Sequence, residues 1–336
     1  MSLRQSCLFT PLTIRGTTLR NRVVLPPMVR FTPPMSPEVT NTGGEITDAV
    51  IDYYRQLAMG MGMIVVEATC IDPGGRAWPN GLNAYADEHI PGLARLAAAI
   101  RAEGCVAAIQ LAHAGPQAAP DMVGGQTVGP SAVRPGAGAM LPRELTIPEI
   151  EAIQEHFADG AARMVEAGFQ AVDLHGAHGY LLDSFLSRAR NQRTDRYGGD
   201  VAGRSRLMAE ACRRVVERVG GRILVGCRFS LFNKLPGEFD SAETEVLVKA
   251  LQAAGLDFLD VSTNHAFRGW FGSERTLGQW IKGMTDLPII AVGGLVPPED
   301  AERVIAEGHA DMAAIGRATL DDPHWAEHAR EALCDA

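Results

Sequence analysis

One unit recurs six times along the chain. A helix-forming stretch ends in glycine, and a short apolar run follows at once. It appears at Gly60-Met61-Gly62 before Met63–Val66, at Gly104 before Val106–Ile109, and at Gly168 before Ala171–Leu174. It returns at Gly220-Gly221 before Ile223–Val225, at Gly255 before Phe258–Val261, and at Gly308 before Met312–Ile315. Glycine accepts the left-handed conformation that closes a helix. A run that is apolar on successive residues suits a parallel strand buried on both faces. Val23–Leu25 and Pro288–Val292 complete a set of eight strands.

Strands alternating with helices imply a parallel sheet with right-handed crossovers. Eight such units predict a (β/α)8 TIM barrel, read here as one domain over residues 1–336. The rival is a doubly wound dinucleotide fold, which needs GxGxxG after its first strand. Gly60-Met61-Gly62 precedes a strand and lacks the third glycine. Helix starts agree with the barrel. Thr47-Asp48 can cap a helix through Ala58, Thr146 one to about Glu166, Ser241 one through Ala254, and Pro297-Pro298 starts another. Between Leu111 and Pro148 runs a long loop rich in Gly, Pro and Ala. It follows the third strand and so belongs at the face where barrel active sites lie.

Composition narrows the function classes. Glycine is 36 of 336 residues, about 11%, which suits many tight turns and backbone packed close to a ligand. The formal net charge of −9 opposes a nucleic-acid partner. No apolar run is long enough to span a membrane, and Met1–Arg15 has no signal-peptide core. The six cysteines form no CxxC pair. Reduced thiols and a cytoplasmic location are expected.

Polar residues at strand C-terminal ends are the candidates for chemistry: Glu67, Gln110, His113, Asp173, His175, His178, Tyr180, Arg228, Ser262 and His265. The densest group is Asp173-Leu-His175-Gly-Ala-His178-Gly-Tyr180. Two imidazoles could hold one oxygen that gains negative charge, and a tyrosine hydroxyl could then deliver a proton. The same pair is half a metal site that His113 or Asp173 could complete, and all three residues could instead be hydrogen-bonded structure. Gly293-Gly294 and Gly316-Arg317 follow strands seven and eight, the usual phosphate site of a barrel. Arg228, inside the fifth strand, needs an anionic partner, which a structural salt bridge could also supply.

These residues resemble the Old Yellow Enzyme family of FMN-dependent ene-reductases, in its shorter bacterial form. The resemblance runs from Leu8-Phe9 to about Pro323. It rests on Leu19-Arg-Asn-Arg-Val-Val-Leu-Pro-Pro-Met28, Ile64-Val-Val-Glu-Ala-Thr69, Ile109-Gln-Leu-Ala-His-Ala-Gly115 and Gly129-Pro-Ser131. His175-Gly-Ala-His-Gly-Tyr-Leu-Leu-Asp-Ser-Phe-Leu-Ser187, Asn191-Gln-Arg-Thr-Asp-Arg-Tyr-Gly-Gly199 and Ala314-Ile-Gly-Arg317 complete it. It implies that NADPH or NADH reduces FMN, and that hydride from the flavin and a proton from Tyr180 then reduce the C=C of an enone or enal held by His175 and His178. It further implies that Pro26, Pro27 and Met28 wall the flavin and that Ala68 and Gln110 meet its polar edge. Arg228 would lie beside N1/O2, with Gly293, Gly294, Gly316 and Arg317 on the phosphate. Asn191–Gly199 would serve structure through Arg–Asp pairing. A dimer or tetramer is expected on the same ground.

The chain departs from the family at four places. Val29, expected against the flavin, stands where many relatives have Cys or Thr, which can hydrogen-bond the flavin O4. Phe31 replaces a substrate-facing Tyr. No cysteine cluster follows the barrel, unlike the larger iron–sulfur branch, and Arg330 is a poor match for an arginine lent by a neighbouring subunit. Three other readings remain. One is an FMN barrel acting on RNA, such as a dihydrouridine synthase. The second is a metal-dependent barrel lyase or hydrolase, and the third a silent flavin-binding protein.

Overall fold

The computed structural model describes residues 6–30, 43–231 and 239–334. Two short strands, β1 (Leu12–Ile14) and β2 (Thr17–Leu19), pair antiparallel. Eight strands close a parallel barrel: β3 (Val23–Leu25), β4 (Met63–Cys70), β5 (Val106–Ala112), β8 (Ala171–Gly176), β9 (Leu224–Ser230), β10 (Phe258–Ser262), β11 (Ile289–Val292) and β12 (Met312–Ala314). Each follows its predecessor around the ring, and β12 returns to β3. All eight predicted strands are therefore barrel strands, and the rival doubly wound sheet is excluded.

Helices fill the crossovers. Asp48–Ala58 begins on Thr47, whose side chain accepts from the Val50 amide. Ile147–Glu166 begins with a full capping box between Thr146 and Glu149. The helix Ser241–Ala253 corrects one expectation, because its cap is Asp240, which accepts from the Glu243 amide at 2.8 Å. Asp240 sits one residue earlier and offers a carboxylate to the positive helix end, which Ser241 cannot. The long loop after β5 is also not structureless. It contains turns at Gly115–Gln117 and Pro120–Met122 and a parallel pair, β6 (Val128–Gly129) with β7 (Arg143–Glu144). Buried Arg193 pins it by donating to Pro130 O at 3.0 Å and Leu145 O at 2.6 Å, while pairing with Asp195 at 2.6 Å. That is the structural service expected of Asn191–Gly199.

The alternation of side chains along a strand sorts the interior into layers. Ile64, Val66, Ala107, Ile109, Val172 and Leu174 face the helices and join the large outer core. Met63, Val65, Val106, Ala108, Ala171, Leu224, Phe258, Ile290 and Met312 face inward and form a separate apolar plug, which Ile14 and Leu19 of the β1–β2 hairpin join. Further along the same inward parity come Gln110, Asp173, His175, Arg228, Asp260 and Ser262, each 5% exposed or less. The barrel is thus greasy at one end and polar at the other.

Gly226 shows how tightly the plug is built. A Cβ there would lie 2.1 Å from the Phe258 ring, so the phenyl group occupies the space that any side chain at 226 would need. Gly226→Ala is expected to destabilise the protein by about 1–3 kcal/mol through overpacking. Adding Phe258→Leu should recover part of that loss. Urea unfolding of the single and double variants checks it.

Candidate active site

β8 ends at His175 and Gly176, and the chain turns sharply before the helix Leu181–Leu186. His178 takes φ of +62° at this turn. A non-glycine residue held there costs about 1–2 kcal/mol, and such strain gathers at functional sites. Several bonds hold the turn: the Gly179 amide donates to Asp183 Oδ2 at 2.7 Å, Gln117 Nε2 to His178 O at 2.9 Å, and the His178 amide to Ser230 Oγ at 3.2 Å. The result brings three rings together. The His175 centroid lies 5.1 Å from that of His178 and 4.9 Å from that of Tyr180. Trp78 stands edge-on to Tyr180 at 5.8 Å.

Their protonation follows from burial. Desolvation, then the charges of His178 and Arg228, hold His175 well below its ordinary value, so it is a neutral imidazole. Burial pushes the Tyr180 phenol up to about 12, so it keeps its proton. His175 Nδ1 has no hydrogen-bond partner. Arg228 Nη2 donates to Ser262 Oγ at 3.1 Å, and Ser262 Oγ lies 3.0 Å from His178 Nε2. Ser262 Oγ thus links the Arg228 guanidinium to the His178 ring.

Beneath the rings lies a buried charge cluster. Gln110 Nε2 donates to Asp173 Oδ2 at 2.8 Å, and Arg228 Nε faces Asp260 Oδ2 at 3.6 Å without a hydrogen bond. Asp173 Oδ1 and both Asp260 oxygens also lack partners. Burial, then the Asp260 charge, pushes Asp173 well above the carboxylate range, and burial raises Asp260 as well. Two acids and one arginine therefore share this layer with unmet donors and acceptors.

Beside the layer opens a cleft of about 750 Å³. Pro26, Pro27, Met28, Arg228, Gly293, Gly294, Gly316 and Arg317 line it together with Ser262, Thr263 and Asn264. Gly293 has φ of +140°, and a Cβ on it would meet Thr263 O at 2.4 Å. Only glycine fits there, which leaves backbone open at the strand end. A second cavity of about 340 Å³ holds His175, Tyr180, Trp78, Arg76, Cys70 and Ala68. The Cys70 thiol donates to Asp72 O at 2.9 Å, and burial pushes it up to about 12.

The structure places the other candidates as follows. A register shift in β4 between Val66 and Thr69 puts Ala68 at the cavity. Glu67 is instead bonded to the Arg30 guanidinium at 2.9 Å and the Arg30 amide at 2.8 Å, away from the rings. His113 is buried, and its Nδ1 accepts from the Gly115 amide at 3.0 Å. That engagement removes it from the rings as a third ligand, and no three metal-ligating side chains converge among the described residues. Val29 is half-buried beyond Met28, and its side chain offers no hydrogen-bond donor. Phe31 lies outside the described residues. Asp260, Trp78 and Arg76 were not singled out in the sequence. Asp260 shares the inward parity of Phe258 and was there to be found, whereas Trp78 and Arg76 sit on a loop without periodicity.

A parallel barrel with a glycine-lined cleft, a buried arginine lacking a full set of acceptors and a neutral His175 beside His178 suits a cofactor-dependent oxidoreductase. The sequence profile of the NADH:flavin oxidoreductase / NADH oxidase family matches residues 7–336, and the chain belongs to that family. It is 36% identical over 96% of its length to the NADH oxidase of Thermoanaerobacter brockii, of which it spans only half. It is 34% identical to the NADPH dehydrogenase of Bacillus subtilis (strain 168), covering 97% of this chain and 95% of that one. The old yellow enzyme homologue from Zymomonas mobilis superposes with a TM-score of 0.84 at 26% identity, over 97% of this chain and 92% of that one. The protein is thus a flavin oxidoreductase of the Old Yellow Enzyme type. No helix among the described residues is long and apolar enough to cross a membrane.

His113 makes the fold acid-sensitive. Burial lowers its pKa from 6.5 to about 4. The unfolded chain binds the proton first, so stability is lost as pH falls through that window, by about 3 kcal/mol in full. His113→Asn should flatten the pH dependence of urea unfolding between 6.5 and 4.

Proposed function

We propose that the protein reduces the C=C bond of α,β-unsaturated carbonyl compounds, with NADPH or NADH as the source of electrons. The observation that carries this reading is the ring cluster, where a buried neutral His175 and the strained His178 flank a Tyr180 that keeps its proton. FMN, when bound, supplies the two-electron hydride chemistry between nicotinamide and substrate.

The residues present fit that cofactor. Gly293, Gly294, Gly316 and Arg317 would hold its phosphate on open backbone and one guanidinium. Pro26, Pro27, Met28 and Val29 would lie against the ring system, with Ala68 and Gln110 at its polar edge. Arg228, whose Nε lacks a hydrogen-bond partner, would face the N1/O2 edge and stabilise negative charge there.

His175 and His178 would bind the substrate carbonyl oxygen through imidazole N–H groups. Both are most useful neutral and fixed in tautomer, because they then polarise the carbonyl without surrendering a proton to it. Polarisation makes the β-carbon electrophilic. Tyr180 would donate its proton to the α-carbon as general acid, and a pKa of about 12 keeps the phenol loaded at neutral pH. Trp78, edge-on to Tyr180, would shield that phenol on one side.

Rapid mixing separates the two half-reactions. Tyr180→Phe should leave flavin bleaching by NADPH in place and slow flavin reoxidation by cyclohexenone by about 10²–10⁴-fold. Equal reoxidation by both proteins would remove Tyr180 from the mechanism. Val29→Cys adds a donor near the expected flavin O4, and the flavin midpoint potential should shift. An unchanged potential would show that position 29 does not tune it.

A further inference from the structure

The cavity beside Tyr180 does not end there. Arg76, Leu82 and Asn83 line both it and a wider cleft, about 1040 Å³, that runs out to Tyr85 and His89. Arg76 therefore stands where the inner cavity meets the outer one. Among the described residues lining the inner cavity it is the one permanently charged side chain, the rest being small, apolar or neutral.

This guanidinium is poorly satisfied. Its Nη2 donates to Pro79 O at 3.2 Å. Its Nε is shielded from solvent and has no hydrogen-bond partner. No carboxylate among the described residues lies within ion-pair distance of it. Asn83, 7% exposed, turns into the same space with Oδ1 unpartnered, and an amide can offer a ligand either its oxygen or its nitrogen. Arg76 is half-buried, and its shielded Nε leaves one donor that a bound anion would satisfy.

We propose that the physiological substrate is an unsaturated carbonyl compound carrying a carboxylate at the end remote from its carbonyl oxygen, and that Arg76, aided by Asn83, binds that carboxylate. The inference rests on the ene-reductase reading above. With the carbonyl on His175 and His178 and the double bond beside Tyr180, the chain of the substrate runs toward Arg76 along one cavity. Charge selects the class of anion. One guanidinium matches one carboxylate and can grip it bidentately. A phosphate dianion is disfavoured, because no second permanent cation lines either space among the described residues and the outer one carries Glu45 and Glu88.

The test uses the FMN-loaded protein. Isothermal titration measures binding of 4-oxopentanoate and of its methyl ester, neither of which has a double bond to reduce. The acid should bind about tenfold or more tighter than the ester. Arg76→Gln should bring that ratio close to one, and Arg76→Lys should restore part of it. A retained flavin spectrum shows that each variant is folded. A ratio near one in the unaltered protein, or one that Arg76→Gln leaves intact, overturns the proposal. Turnover of cyclohexenone and 4-oxopent-2-enoate separates the two readings. If the ratio depends on Arg76 but neither compound reoxidises the reduced protein, the anion site stands and the assigned reaction falls. If cyclohexenone is reduced while the ratio ignores Arg76, the reaction stands and the anion site falls.

Discussion

Arg228 is the charge around which the polar half of the barrel is arranged. It projects inward from β9, faces Asp260 on one neighbouring strand, and donates to Ser262, which in turn meets His178. Asp173 belongs to the same layer through β8, bonded to Gln110 of β5. Without this cation the two acids would be buried with no counter-charge, and removing one partner of a buried ion pair costs several kcal/mol. The arrangement also ties two tasks together. The guanidinium assigned to the flavin edge is one serine away from an imidazole assigned to the substrate, so a change at one is felt at the other.

Neutrality is the second theme of the site. Burial works in opposite senses on its groups: it strips the proton from His175 and keeps it on Tyr180. Both end uncharged, which suits the pocket proposed to receive a flavin ring and a conjugated substrate. The same burial raises Asp173 and Asp260, so one arginine suffices for the pair. The low dielectric of the barrel interior thus biases all four groups toward their uncharged forms.

Much of this was legible in the sequence because it depends on local chain physics. Glycine-terminated helices followed by apolar runs mark the eight strands, and polar residues at strand ends mark His175, Tyr180 and Arg228. What was not legible depends on contacts between distant segments. The β4 register shift exchanges Glu67 for Ala68 at the cavity, and nothing between Val66 and Thr69 announces it. Arg193 orders the long loop after β5 from more than forty residues away, so composition alone made that loop look structureless. Asp240 rather than Ser241 caps its helix because two good caps are adjacent and only geometry chooses between them. The partnerless Nε of Arg76 is a property of its surroundings, and a loop position gives no pattern from which to infer it.

Cys70 gives the pocket a further property. It lines the cavity beside Tyr180, where an electrophilic alkene would dwell at each turnover under the proposed function. Thiolates add readily to such alkenes, and thiols do so far more slowly. With a pKa of about 12, only about one molecule in 10⁵ would carry the thiolate at pH 7. The bond from Sγ to Asp72 O also turns the sulfur's hydrogen toward the backbone. Under that reading the fold keeps a nucleophile beside an electrophilic substrate in a form resistant to alkylation.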